Sequence, residues 1–206
     1  MKDQFNKIIK ELESLSFPNW NELPNIDLYM DQVSTYLDRE LNPLKITEDD
    51  KILTPSMINN YVKGDLIPSP EHKKYNKEHL SRLFIISSLK QILSISDIKE
   101  VLNSQTDINV DLYELFNNEH KKALESETSK IKSFLDNVND DELQTKLNLY
   151  IIRLAMYAEV QKVLAEKLLN VIIQKKQAEL EELEKAQKEE KIISKQSKKN
   201  KPEGTN

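Results

Sequence analysis

The chain lacks cysteine and contains only two glycines and three histidines among its 206 residues. Without cysteine it can form neither a disulfide framework nor a thiolate metal site. Two glycines leave few positions for the positive φ angles of tight hairpin turns, which disfavours an architecture rich in β-hairpins. The composition is instead rich in helix-forming leucine, lysine and glutamate, so we expect an all-α fold.

Arrangements of residues that are typical of catalytic or metal sites are also missing from the sequence. The chain contains no Ser-His-Asp arrangement, no glycine-rich phosphate loop and no HExxH pair. His72 and His79 lie seven residues apart without an acid or cysteine placed to complete a metal site, and His120 stands alone on a charged helix, where we expect it to be solvated. We therefore expect a protein that is not an enzyme and holds no metal and no cofactor.

Long hydrophobic runs are also missing. The most apolar segment, residues 147–173, is interrupted by five charged side chains, so it does not have the character of a membrane span. The first fifteen residues mix charged and apolar side chains at helical spacing and lack the apolar stretch of a signal peptide. These features predict a cytoplasmic protein without a membrane partner.

The net charge of −5 conceals one basic segment. Residues 1–50 carry five basic and eleven acidic side chains, and residues 93–206 carry eighteen and twenty-one. Residues 51–92, by contrast, carry seven basic and three acidic side chains, a net charge of +4. Because phosphate contacts are local, this surplus makes residues 51–92 the place to look for a nucleic-acid partner.

The basic segment overlaps the clearest succession of helix boundaries in the chain. Thr54-Pro55 has the pattern of an N-cap followed by proline at the first helical position, and Gly64 marks the end of that helix. A basic loop follows, after which Asn76 caps a second helix and Ser96-Asp97 a third. With a preceding scaffold helix over 27–41, this order predicts a helix-turn-helix with a small wing.

At these residues the chain resembles the MerR family of bacterial transcription regulators. Ile58-Asn59-Asn60-Tyr61, followed by Leu66-Ile67-Pro68, is similar to the end of that family's recognition helix and its turn; Lys73-Lys74-Tyr75 is similar to the end of its wing. The phrase MINNYVKGDLIPSPEHKKYNKEHL looks closer still to a bacterial family described only as a domain of unknown function with a MerR-like helix-turn-helix. The resemblance covers residues 53–102 and departs from MerR at Asn59, where that family has arginine, and at Gly64, which falls one position early.

The resemblance implies a DNA-binding surface on this helix and the wing. Helical spacing places Ile58, Tyr61 and Val62 on one face and the polar side chains on the other, where asparagines could pair with adenine and Lys63 could meet phosphate. Tyr75 either packs under the wing or donates to a phosphate. Another interpretation is that the polar face is merely solvated. The candidate DNA-binding residues are Ser56, Asn59, Asn60, Tyr61, Lys63, Lys73, Lys74 and Tyr75.

The C-terminal half is predicted to contain a helix from Asp111 to about Val138 and a longer one from about Asp140 to Lys185. The apolar face of the longer helix is wider than a two-residue seam, which indicates more than one packing neighbour. Two interpretations stay open: a dimerisation helix, or the central core helix of a monomeric bundle. A small-molecule effector among these helices is also left open.

The sequence therefore predicts four parts. These are an N-terminal helix and linker (1–25), a MerR-like DNA-binding domain (26–105), a helical dimerisation or effector region (106–192) and a disordered basic tail (193–206). The predicted function is a MerR-like transcriptional regulator that reads duplex DNA as a homodimer. The alternative is a helical protein–protein interaction module that retains the helix-turn-helix scaffold.

Overall fold

The computed structural model describes residues 2–45, 47, 49–103 and 110–199, and the side chains of 4–45, 47, 49–102 and 110–188. This part of the chain is mostly helical, as expected, and departs from an all-α fold only in one two-stranded sheet. Its elements are α1 (Lys2–Glu13), β1 (Leu28–Tyr29), α2 (Met30–Glu40), α3 (Pro55–Lys63), β2 (Lys74–Tyr75), α4 (Lys77–Leu89), α5 (Ile95–Asn103), α6 (Val110–Asp136) and α7 (Leu143–Lys199). None of the described helices is long and apolar enough to cross a membrane.

The chain divides into two compact units, with the boundary after Glu159 inside α7. The core of the first unit is centred on α4, in which every residue from His79 to Ser87 is buried. A helix that is buried on all sides needs neighbours on all sides. Side chains from α2, α3, β2, α5 and α6 provide them. The central helix of this unit is therefore α4.

The segment after α1 is attached to α6 by polar contacts. The Tyr113 hydroxyl donates to the carbonyl oxygen of Pro18 at 2.9 Å, and the side-chain amide of Asn117 donates to the same oxygen at 3.1 Å. The backbone N–H of Trp20 donates to Glu114 at 2.8 Å. Because burial desolvates its hydroxyl, the pKa of Tyr113 is raised well above its ordinary value. These contacts tie residues 17–22 to the core, so residues 1–25 are not a free linker.

Several predicted helix starts are displaced by contacts that the local pattern does not show. Helix α2 begins at Met30 rather than at residue 27, because Leu28 and Tyr29 pair with β2. The cap of α5 is Ser94 rather than Ser96, since Ser94 Oγ accepts the backbone N–H of Asp97 at 3.1 Å. Asp111 lies inside the first turn of α6, and the predicted polar break over 104–107 lies outside the described residues.

Helix α7 begins slightly later and ends much later than predicted. Residues 140–142 form a turn before Leu143, and the helix continues to Lys199. The first part of the predicted disordered tail, residues 193–199, thus has a helical backbone. No proline or glycine interrupts the helix over these residues. Residues 200–206 lie outside the described residues.

Candidate nucleic-acid interface

The start of α3 follows from two adjacent residues. Thr54 is the N-cap, and its side-chain oxygen accepts the backbone N–H of Met57 at 3.2 Å. Pro55 occupies the first helical position, where its missing N–H leaves no hydrogen bond unmade. Both predicted boundary residues are confirmed, and they set the residue at which α3 begins.

The end of α3 is a Schellman motif whose left-handed residue is not glycine. The N–H of Leu66 donates to the carbonyl of Tyr61 at 2.9 Å, and the N–H of Asp65 donates to that of Val62 at 3.1 Å. Asp65 adopts a φ of +54°, whereas Gly64 has an ordinary φ of −87°. This explains why Gly64 falls one position early: it precedes the left-handed position instead of occupying it.

The two faces of α3 separate as the helical period predicts. Ile58 and Tyr61 are buried in the core. The opposite face exposes four of the candidate residues, Ser56, Asn59, Asn60 and Lys63. Tyr61 is only 7% exposed, and burial raises its pKa. The expectation that Tyr61 contacts DNA is therefore corrected, because it packs the helix against the core.

The predicted wing is a tight two-residue turn that an isolated bridge between Glu71 and Lys74 closes and that leads directly into strand β2; this turn together with β2 is called the hairpin below. The N–H of Lys74 donates to the carbonyl of Glu71 at 2.8 Å, which closes a turn over His72 and Lys73. Both of these residues have positive φ, +49° and +62°, as a two-residue hairpin turn of type I′ requires. Strand β2 then pairs antiparallel with β1.

The three candidate residues of the hairpin differ in exposure. Lys73 is exposed at the tip, and the half-exposed Lys74 holds its ammonium 5.3 Å from the centre of the Tyr29 ring. Tyr75 is only 3% exposed, and burial raises its pKa. Of the two roles left open for Tyr75, the structure shows packing under the hairpin, and its hydroxyl is withdrawn as a phosphate donor.

Helix α2 connects α3 with the hairpin, since it packs against both, and α4 packs against β2. The reciprocal cap of α4 stiffens this junction: Asn76 and His79 each accept the backbone N–H of the other at 3.1 Å through a side-chain atom. Burial lowers the pKa of His79, so its imidazole is neutral at pH 7. The histidine that the sequence offered as a weak metal candidate is thus a structural cap.

Two lysines outside the predicted set also hold α3 in place. Lys99 of α5 donates to the carbonyl oxygen of Gly64 at 2.7 Å and pairs with Asp65 at 3.7 Å. Lys90, at the end of α4, donates to the carbonyl oxygen of Ile52 just before α3. Both hydrogen bonds join residues at least 35 positions apart, so no local sequence signal could have predicted them.

The remaining histidines have different surroundings. His72 is exposed in the hairpin turn. His120 is half-buried, with its ring 4.5 Å from that of Phe17, so the expectation that it is solvated is wrong. Burial lowers its pKa. Within the described residues, no cluster of three or more histidine or acidic side chains is arranged to hold a metal ion.

The comparison with known proteins identifies one family. Residues 18–123 match the family described as "Domain of unknown function (DUF1836)", and this range runs from the segment docked on α6 through α2, α3, the hairpin, α4 and α5 into α6. No curated protein and no solved structure matches the chain. Because the matched range covers just over half of the chain, the protein belongs to the DUF1836 family.

Proposed function

We propose that this protein is a DNA-binding transcriptional regulator in which α2, α3 and the hairpin act as a MerR-like winged helix-turn-helix. The observation that carries the proposal is the exposed polar face of α3, where Asn59, Asn60 and Lys63 stand on a helix anchored at both ends. An asparagine amide can pair bidentately with the N6/N7 edge of adenine, and a helix of this kind fits the major groove. These contacts at both ends of α3 support recognition of DNA bases, because they hold the side chains in a defined orientation.

In this proposal the lysines position the helix on the duplex. Lys63 at the end of α3 and Lys73 and Lys74 in the hairpin contact phosphates beside the groove. Tyr61 and Tyr75 support these elements from the core. The exposed Asp65 and Glu71 lie in the same segment and reduce the attraction, so binding by one copy is expected to be weak and strongly dependent on salt.

A homodimer would compensate for weak binding by one copy, because two half-sites on one duplex add through effective concentration. The surface proposed for pairing is the exposed apolar surface of α7. Fourteen large apolar side chains on this helix are exposed: Leu149, Ile151, Ile152, Leu154, Met156, Tyr157, Val160, Val163, Leu164, Leu168, Val171, Ile172, Leu180 and Leu183.

The exposed area supports a second copy as the occupant. A fully exposed side chain of this kind presents roughly 60–120 Å² of apolar surface, so fourteen half-exposed ones present roughly 400–850 Å². A standard interface buries about 800 Å² on each partner, somewhat more than half of it apolar. The uncovered apolar surface of α7 is thus of the size that a stable dimer needs.

The dimer is tested by light scattering at micromolar concentration. We expect the wild-type chain to be dimeric and Ile172→Glu, which places a charge on the exposed apolar surface, to shift it toward monomer. Gln174→Glu adds the same charge to an exposed polar position of the same helix and serves as the control. A wild-type protein that remains monomeric at this concentration contradicts the dimer.

DNA binding is tested by selection from a genomic library, followed by titration of the selected duplex at several salt concentrations. Replacing both Lys73 and Lys74 with alanine should weaken binding to every sequence and flatten the salt dependence by about one unit of log–log slope for each phosphate that is no longer neutralised. Asn59→Ala or Asn60→Ala should cost about 1–3 kcal/mol on the selected duplex and much less on an unrelated one.

Matched controls lie on α6, where Lys121, Lys122 and Asn118 are exposed. Replacing both of those lysines with alanine removes the same charge as the hairpin variant, and Asn118→Ala removes the same amide as Asn59→Ala. If no sequence is enriched and the hairpin variant binds duplex as the wild type does, the DNA proposal fails. The alternative, a protein–protein interaction module that uses the exposed side of α7, then stands.

Other parts of the interpretation follow from this proposal. A regulator of this type works where the chromosome is, so we place the protein in the cytoplasm. It needs no catalytic group, metal or cofactor for binding DNA. In a dimer that reads two half-sites on one face of the duplex, the two copies of Asn59 would lie about 34 Å apart or a multiple of that distance.

A further inference from the structure

A cavity of about 500 Å³ lies in the first unit, between the connection that precedes α3, the C-terminal end of α4, and α6. Three of its wall residues are lysines, Lys45, Lys51 and Lys90, and among the described wall residues Asp50 is the only acidic one. The volume is typical of a site for a small metabolite. The excess positive charge favours an anion.

Lys90 is the unusual member of this wall. It is half-buried, and its ammonium donates to the carbonyl oxygen of Ile52 and lies 4.0 Å from the sulfur of Met57, with no ion pair to a carboxylate of the described residues. Burial lowers the pKa of Lys90 because the charged form is partly desolvated. Its ammonium can donate three hydrogen bonds, and the carbonyl oxygen of Ile52 accepts only one of them. An anion in the cavity would supply the missing partner.

The other polar and charged groups of the wall differ in their partners and in their exposure. Lys45 pairs with Asp38 at 2.7 Å, and Asp50 accepts the backbone N–H of Thr47 at 2.9 Å. Lys51 is exposed. His120 is neutral at pH 7 because burial lowers its pKa, so it offers one N–H donor and adds no charge. The three lysines and Asp50 together give the wall residues a net charge of +2, which suits a dianion, and Lys51 and Lys90 are the two of these lysines that are not paired with Asp38.

We propose that this cavity binds a small dianion, a phosphate or a dicarboxylate, between Lys51 and Lys90, and that binding draws the Lys90 ammonium away from the carbonyl oxygen of Ile52. Ile52 lies two residues before Thr54, the N-cap of α3. Occupancy of the cavity therefore alters the start of the helix that carries Asn59 and Asn60. An effect on DNA affinity rests on the proposed function, whereas the binding of the dianion and the change in α3 do not.

Binding is tested by thermal unfolding of the full chain with inorganic phosphate or succinate, compared with sodium chloride at the same ionic strength. At about ten times the dissociation constant, either dianion should raise Tm by about 3–6 °C beyond the chloride effect. The shift should disappear in Lys51→Ala and in Lys90→Met and persist in Lys175→Ala, whose side chain is exposed on α7. Lys51→Ala keeps the test informative if Lys90→Met does not fold.

The outcomes separate the possible ligands. A shift with phosphate alone assigns a phosphorylated ligand, one with succinate alone assigns a dicarboxylate, and equal shifts assign recognition of charge. No shift with either probe, or an equal shift in Lys51→Ala, overturns the site.

The effect on α3 is read from backbone amide signals in NMR. The signals of Leu53, Thr54 and Met57 should move on saturation with the effective probe, and those of α7 should stay. Binding that leaves these three signals unchanged overturns the link to α3. DNA affinity is measured separately: if no DNA binding is found while the dianion still binds, the proposed function fails and the site remains.

Discussion

Replacing Asp65 with glycine should stabilise the protein, although it removes an ion pair. Asp65 holds a φ of +54° at the end of α3, and a left-handed conformation costs a residue with a Cβ atom about 1–2 kcal/mol. Glycine avoids this cost but loses about 0.5–1 kcal/mol more chain entropy on folding. The pair with Lys99 is 3.7 Å long and the Asp65 side chain is 87% exposed, so its loss costs at most about 0.5 kcal/mol.

The informative comparison is between Asp65→Gly and Asp65→Ala. Both substitutions remove the carboxylate and its pair with Lys99, but alanine keeps the Cβ atom and lacks the short polar side chain that makes the left-handed region tolerable for aspartate. We expect the glycine variant to be about 0.5 kcal/mol more stable than wild type and about 1–1.5 kcal/mol more stable than the alanine variant. For a chain of this size that gap is about 2–6 °C in Tm.

The measurement is urea or thermal unfolding at one fixed protein concentration, because pairing of chains would make Tm depend on concentration. Gly64→Ala is a further control for the left-handed position, since Gly64 has an ordinary φ. A Cβ atom at Gly64 would lie 3.3 Å from the Asn60 carbonyl oxygen. If Asp65→Gly is no more stable than Asp65→Ala, residue 65 is not left-handed in solution. The Schellman ending of α3 would then be wrong.

Two further predictions concern the caps and the histidines. Thr54→Ala should cost about 1 kcal/mol in urea unfolding because the Met57 N–H loses its acceptor, whereas Thr54→Ser should stay near wild type; equal losses in both would show that the cap is not formed. Because burial lowers the pKa of His79 and His120, stability should decline as pH falls below about 6.5, their unfolded pKa, toward the lower folded values. His120→Gln should flatten that decline in Tm measured from pH 7.5 to 5, and an unchanged slope would contradict the burial of a neutral imidazole.

The sequence was sufficient where a structural signal is local. The caps at Thr54 and Asn76 are hydrogen bonds to residues three positions away, so the chain shows both partners at once. The exposed and buried faces of α3 follow from the helical period alone. For the same reason the candidate set was right about the exposure of Asn59, Asn60 and Lys63, whether or not they meet DNA.

The sequence was insufficient where a residue contacts another that is far away along the chain. Strands of two residues have no alternation to detect, so the pairing of β1 with β2 could not be predicted, and with it the late start of α2. His120 looks solvated on its own helix because the ring that covers it, Phe17, is 103 positions away. Tyr61 and Tyr75 were proposed as contacts from a family pattern, which says which residue occupies a position and not which way its ring points.

The backbone between α3 and β2 contains residues in the left-handed conformation, which is strained for a side chain with a Cβ atom. Asp65, His72 and Lys73 are the non-glycine residues with positive φ in the described part of the chain, and all three fall within nine residues of each other. Glycine at these positions would relieve strain, and the chain has no glycine there. A side chain at a strained backbone position supports the hypothesis that this side chain has a function. Lys73 is exposed at the hairpin tip, where the proposed contact with phosphate requires a cation, and that requirement gives a physical reason for keeping lysine where glycine would fold more easily.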